Sequence, residues 1–250
     1  MRLNFLSKNG DPRIFNLKDE KPPVLQDGGG VAQEVKNFQI VCPGNAGWIE
    51  YKLNDQEMDY VWRCIDNKKG DVKGRLAGNI SSSYALLDMG DWFYNKTLLP
   101  LCIEYANRFR NRGELSGVSK IHPYFLEEWW VNYQKQYEFN PLHNHSGVYS
   151  FVLWMKIPFS FKEQNRNPIA QRSNNPRISS FNFSYSNILG EVTDHEYQIG
   201  PEDEGLMLFF PARLSHQVYP FYDCDEDRIS VSGNIALDTS RSTGPRMFNA

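Results

Sequence analysis

Two histidines stand two residues apart in "NPLHNHSGVYSFVLWMKIP" (140–158): His143 and His145 enter an apolar run rich in β-formers. In an extended segment residues i and i+2 face the same side, so the pair converges on one face, with Asn144 turned away. A third histidine, His216 in "FFPARLSHQVYPF", lies near the start of another strand-like run, after a proline-bounded turn. Twelve residues on (228 − 216 = 12), "RISVSGNI" opens with Arg228 and Ser230, which again share a face. Neutral imidazole is a good ligand for Fe(II), Zn and Cu. Three facial protein ligands leave positions open for a co-substrate and O2. A guanidinium beside a hydroxyl holds a carboxylate by charge-assisted hydrogen bonds. Together these residues suit a dicarboxylate that chelates a metal at one end. Each has an ordinary reading too. H-x-H beside a turn is common, a lone His216 can be a satisfied strand-end residue, and Arg228 can pair at the surface with "DCDED" (223–227).

These residues need a frame, and the composition supplies one. The chain has 250 residues, 40% hydrophobic and 23% charged, which is ordinary for a globular protein. Aromatic residues make up 14%, a generous share that points to a β-rich core. A net charge of −3 lacks the basic footprint of a nucleic-acid binder or of a membrane-surface protein. No apolar run reaches the ~18 residues a membrane span needs, and the apolar patch of "MRLNFLSKNGDPR" is too short for a signal peptide. The four cysteines, Cys42, Cys64, Cys102 and Cys224, form no C-x-x-C pair, so reduced thiols in a cytoplasm are expected.

Along the chain, residues 1–36 carry close-set turn clusters ("NGDPR", "EKPP", "DGGG") and read as an arm on the body. "FQIVCP" (38–43) and "WIEYKL" (48–53) read as short strands. Residues 54–69 read as a helix capped by Asn54 or Asp55, with Met58, Val61, Trp62 and Ile65 at helical spacing. Residues 72–83 are a Gly- and Ser-rich connection. A second helix spans 91–112, with Phe93, Leu98, Leu101, Tyr105 and Phe109 as its stripe, and Pro100 must bend or split it. From Pro123 onward seven strand-like runs follow one another, separated by turns. The polar stretch 159–177 is long for a strand connection and reads as a lid. The expected architecture is one domain over 1–250. Its class is mostly β (α+β), with supporting helices at 50–112 and a jelly-roll core at 120–240.

The segments "HNHSGVYSFVLWMKIP", "GLMLFFPARLSHQVYPF" and "RISVSGNIAL" resemble the Fe(II)/2-oxoglutarate-dependent oxygenases, in particular their prolyl-hydroxylase-like branch. The resemblance covers roughly residues 120–240. It implies a double-stranded β-helix, Fe(II) as metal, and 2-oxoglutarate and O2 as co-substrates. It aligns His143 with the proximal ligand, His216 with the distal one, and Arg228 with Ser230 as the R-x-S that receives the far carboxylate of 2-oxoglutarate. Asn132 in "WWVNY" lies on the strand that contributes a polar contact to that co-substrate. The chain departs from the family at one ligand. Where the family has a carboxylate this sequence has His145, which changes the site by one unit of charge; Asp194 is a substitute from a distant turn.

Three functions follow. The first is a 2-oxoglutarate-dependent hydroxylase acting on a protein or peptide residue, with proline as a candidate. The second is a three-histidine, cupin-like dioxygenase that uses no 2-oxoglutarate and leaves Arg228 for an anionic substrate. The third is a jelly roll that binds without turnover. Trp129, Trp130, Trp154, Tyr133 and Tyr149 read as core or pocket wall, His122 and His195 as structural residues, and "LAGN" (76–79) as a turn.

Overall fold

A computed structural model describes residues 2–6, 12–16, 46–109, 120–175, 177–242 and 244–245. Two compact units divide between Gly44 and Asn45. In the first, β1 (Arg2–Leu6) and β2 (Pro12–Asn16) pair antiparallel, with Asn4 opposite Ile14. The remainder of the expected arm and the strand expected at 38–43 lie outside the described residues.

The second unit begins with β3 (Ile49–Lys52) and α1 (Asp55–Asp66). Asn54 closes the start of α1 with a capping box: its side chain accepts from Glu57 N, and Glu57 returns the bond to Asn54 N. Next come β4 (Ser82–Ala85) and α2 (Leu99–Phe109). A wide π turn over Tyr94–Leu98 precedes Pro100. Pro100 has no N–H to donate, and its ring crowds the carbonyl four residues back, so the turn widens there without splitting the helix.

The β-rich part runs β5 (Lys120–Ile121), β6 (Tyr124–Gln134), β7 (Asn140–His143) and β8 (Tyr149–Lys156). The short helices α3 (Phe161–Gln164) and α4 (Pro168–Gln171) follow. The remaining strands are β9 (Phe181–Ser186), β10 (Val192–Tyr197), β11 (Leu206–Pro211), β12 (Ser215–Val218), β13 (Arg228–Leu237) and β14 (Gly244–Pro245). They form a six-stranded sheet, β3-β11-β8-β13-β6-β4, and a four-stranded sheet, β10-β9-β12-β7, with every pairing antiparallel. This is the expected two-sheet β architecture with helices on one side.

Periodicity explains how the layers close. On β8, Phe151, Leu153 and Met155 join α1 and α2 residues such as Val61, Ile65 and Tyr105 in one core. Val152 and Trp154 point the other way and join Phe181, Phe183 and Phe210 between the sheets. A central strand covered on both faces reads as an unbroken apolar run, which is how "YSFVLWM" looks in the sequence. β6 and β13 differ: Trp129, Val131 and Val231 face the helical core, whereas the alternate positions Asn132, Gln134, Ser230, Ser232 and Asn234 line a cavity between the sheets. Polar residues on an inward face serve a ligand, because packing alone would select apolar ones.

Candidate active site

The minor sheet brings two of the histidines together. β7 and β12 are neighbours, and His143 stands directly opposite His216 as a cross-strand pair. Their rings are 4.3 Å apart between centroids. His145 is not on a strand. β7 ends at His143, and His145 sits in the following loop, held by its N–H to Ala212 O at 2.8 Å. The expectation that strand periodicity aligns His143 and His145 is therefore corrected: a loop places His145. Gly147 lets that loop turn, with φ +90° and no room for a Cβ, which would stand 2.8 Å from Ile235 O. One ring nitrogen from each of His143, His145 and His216 lies within 4.8 Å of the others.

Backbone carbonyls select the tautomers. His143 Nδ1 meets Pro141 O at 2.7 Å and His216 Nδ1 meets Leu214 O at 3.0 Å. A carbonyl only accepts, so each Nδ1 carries the proton and each Nε2 presents a lone pair to the cluster. His145 Nε2 lies 3.2 Å from His216 Nε2. All three imidazoles are held neutral. Burial pushes the pKa of His143 down, takes that of His145 down to about 4 with the help of nearby His143, and lowers that of buried His216 well below its ordinary value. Neutral, convergent and carbonyl-oriented, the cluster fits a divalent transition metal.

The major sheet supplies the other half. Arg228 on β13 pairs with Gln134 on β6, and Ser230 pairs with Asn132. Arg228 is 1% exposed. Its guanidinium gives Nε and Nη2 to Gln134 Oε1, Nη1 to Ser179 O and Nη2 to Tyr219 O. The Phe159 and Phe221 rings lie 5.7 and 5.6 Å from it. It meets no carboxylate among the described residues, and burial alone draws its pKa down to about 9. The surface pairing with 223–227 is thereby excluded; in that run Glu226 bonds Lys156 and Asp225 bonds Gln136. Asn132, 5% exposed, is oriented by Ser83 Oγ, which donates to its Oδ1 at 2.7 Å. One cavity of about 250 Å³ is lined by the three histidines together with Asn132, Arg228 and Ser230.

Residues 128–234, which hold all of these side chains, match the model of the family described as "Putative 2OG-Fe(II) oxygenase". That segment, a little under half of the chain, is similar to the 2OG-Fe(II) oxygenases. The family is one of oxidoreductases that use Fe(II), 2-oxoglutarate and O2, and the histidine cluster can hold such a metal. No curated protein matches the sequence. Among solved structures, a prolyl-4-hydroxylase from Pseudomonas putida is similar at 13% identity and a TM-score of 0.43, over 77% of this chain and 93% of that one. A prolyl hydroxylase from Trichoplax adhaerens, solved with a hypoxia inducible factor peptide fragment, matches at 13% identity and 0.43, over 78% and 86%. A 2OG-Fe(II) oxygenase family oxidoreductase from Burkholderia pseudomallei matches at 13% and 0.41, over 76% and 84%.

Other expectations are redistributed in the structure. Asp194 is occupied by Arg177, at 3.1 Å, and by Ser184, and it stands outside the histidine cluster. Stretch 159–177 is not a lid over the cavity, since none of its residues lines it. Instead α3 and α4 close the end beside Arg228: Gln164 is buried and bonds Tyr222, and Phe159 packs on Phe221. The rim comes from the 73–80 connection, including Lys73, Arg75, Leu76 and Gly78. Trp130 and Trp154 line the cavity, while Trp129, Tyr133 and Tyr149 belong to the helical core. Gln134 and Ser83 were not singled out in the sequence. Their signal is register, because "NYQ" aligns its polar positions with "RIS" only once β6 and β13 are paired.

The neutral histidines make the metal-free protein acid-sensitive. Their folded-state pKa values lie below ~6.5, the value of the unfolded chain, so the unfolded state binds more protons as the pH falls through that value. Stability is then lost from about pH 6.5 down toward the lowered folded values. Melting at pH 7 and pH 5 should show a lower Tm at pH 5, by roughly 2–4 °C per kcal/mol lost. His216→Gln should flatten the slope. An equal slope in that variant would remove the histidines as its cause.

Proposed function

We propose that this oxygenase hydroxylates a residue of a protein or peptide, with proline the first to test. In this reading Fe(II) is held by His143, His145 and His216. The far carboxylate of 2-oxoglutarate is received by Arg228, with Ser230 and Asn132 beside it. The observation that carries the proposal is the pairing within one cavity of three neutral imidazoles with a buried guanidinium that has no counter-anion. A buried unpaired charge is costly, and a carboxylate ligand supplies the missing partner.

When bound, the iron supplies the O2 chemistry that converts 2-oxoglutarate to succinate and CO2 and hydroxylates the substrate. The protein's own residues arrange this. Pro141 O and Leu214 O keep the His143 and His216 Nε2 lone pairs aimed at the metal. His145 Nε2, 3.2 Å from His216 Nε2, would be the third donor. Gln134 fixes the plane of the Arg228 fork, and the Phe159 and Phe221 rings keep water from it, which strengthens its grip on a carboxylate. The proposal includes a reducing, cytoplasmic setting, supported by the free thiols of Cys64, Cys102 and Cys224. No described helix is long and apolar enough to cross a membrane.

The test is anaerobic. Fe(II) and then 2-oxoglutarate are added to the apo-protein, and the visible charge-transfer band of the chelated keto acid is followed. The band should appear. Metal binding without a band would move the three-histidine dioxygenase into first place, and no metal binding would leave a ligand-binding jelly roll. His145→Asp restores the carboxylate found elsewhere in the family and should tighten Fe(II) by about tenfold or more, since an anionic oxygen replaces a neutral nitrogen. Unchanged affinity would remove position 145 from the ligand set.

A further inference from the structure

A second cavity, also about 250 Å³, adjoins the first and shares Arg75, Leu76, Glu128 and Trp130 with it. Trp130 links the two, with its ring centroid 6.0 Å from that of His145. The second cavity is a trough along β6 beside the histidine site. Its floor is apolar, with Leu86, Leu126 and Trp129. At its lip Leu87 is 48% exposed, and Met89 nearby is 68% exposed.

Charge in the trough is one-sided. Asp88, Asp91, Glu127 and Glu128 line it against the single guanidinium of Arg75. That guanidinium reaches Glu128 at 3.8 Å while itself 68% exposed, a weak pair. Asp88 is committed to Phe93 N, Tyr94 N and Tyr60 OH. Asp91 and Glu127 are exposed and have no cationic partner among the described residues.

We propose that the trough seats an extended peptide segment bearing a lysine or arginine beside the residue presented to the histidine site. This rests on the peptide-hydroxylase reading above and adds its specificity. The cation sits between Asp91 and Glu127, and a neighbouring apolar side chain covers Leu87. Charge complementarity in a half-enclosed groove selects partners strongly, because a like charge placed there is repelled.

The probes are two short fluorescein-labelled peptides with the same Gly-Ala-Pro core, one flanked by lysine and one by glutamate. Binding is read by anisotropy on the full chain loaded anaerobically with Fe(II) and 2-oxoglutarate at low salt. The lysine peptide should bind at least about tenfold tighter, ~1.4 kcal/mol. The preference should collapse in the Asp91→Asn, Glu127→Gln double variant, whose keto acid band should be unchanged. Equal binding of the two peptides, or a preference that survives the double variant, overturns the proposal. A missing band with the preference intact overturns the co-substrate assignment and leaves the trough standing.

Discussion

Arg228→Met is expected to abolish 2-oxoglutarate binding while leaving the apo-protein at least as stable as the parent. Arg228 is 1% exposed, its side-chain hydrogen-bond partner among the described residues is the neutral Gln134 amide, and burial draws its pKa down to about 9. Desolvation of the charge therefore costs folding on the order of a few kcal/mol. Methionine is unbranched and adaptable, and it fills a slot between Phe159 and Phe221 without a charge. Binding behaves oppositely. Removing one partner of a buried charge pair costs about 2–5 kcal/mol, so 2-oxoglutarate affinity should fall by roughly 10²–10³-fold. Two measurements separate these effects: the apo Tm, and the anaerobic titration of the keto acid band. A variant with a markedly lower Tm would show that Arg228 is structural glue. A variant that still forms the band at the parental 2-oxoglutarate concentration would remove Arg228 as the carboxylate partner. Arg228→Lys should not rescue, because an ammonium cannot reproduce the planar fork that meets Gln134, Ser179 O and Tyr219 O.

His216→Ala should lower Fe(II) affinity by more than the ~10–100-fold that loss of a mere outer-shell partner costs a metal site. His216 is the hub of the cluster. It faces His143 across the β7–β12 pair, reaches His145 through Nε2, and is packed against Phe181 and Phe210. Those rings leave no room for a replacement ligand to swing in. His216→Gln, which keeps more of the volume, should lose metal similarly while melting closer to the parent. Retained Fe(II) binding in both variants, measured by equilibrium dialysis, would take the metal away from this cluster. Loss of metal only in a variant that no longer melts cooperatively would count as unfolding, and the glutamine variant decides that case.

Much of the site was legible in the chain because its parts are local. R-x-S on one strand needs only period two to share a face, and the register bears that out, with Arg228 over Gln134 and Ser230 over Asn132. The alternation of polar and apolar residues in "EEWWVNYQ" was visible as well. Which face was core was not, because a polar inner face looks like a solvent face until the second sheet covers it. His145 joins the other two histidines, though not by strand periodicity: it reaches the cluster from a loop tied to Ala212. Stretch 159–177 resembled a lid because it is long and polar. Its helices instead settle on Tyr222 through Gln164, a contact between residues 58 apart that no local pattern announces.

By itself the sequence determined the β-rich class, the capped helix at Asn54, the turn at Pro100 and the candidate ligands. Each depends on backbone periodicity, a missing N–H or side-chain chemistry, all of which act over a few residues. The tertiary structure alone decided that His143 stands across from His216, that Arg228 is buried with no counter-charge among the described residues, and that residues 73–80 form the rim of the cavity. These follow from strand order and sheet stacking, where residues distant in the chain exclude water together, and a single sequence carries no local signal for which of them will meet.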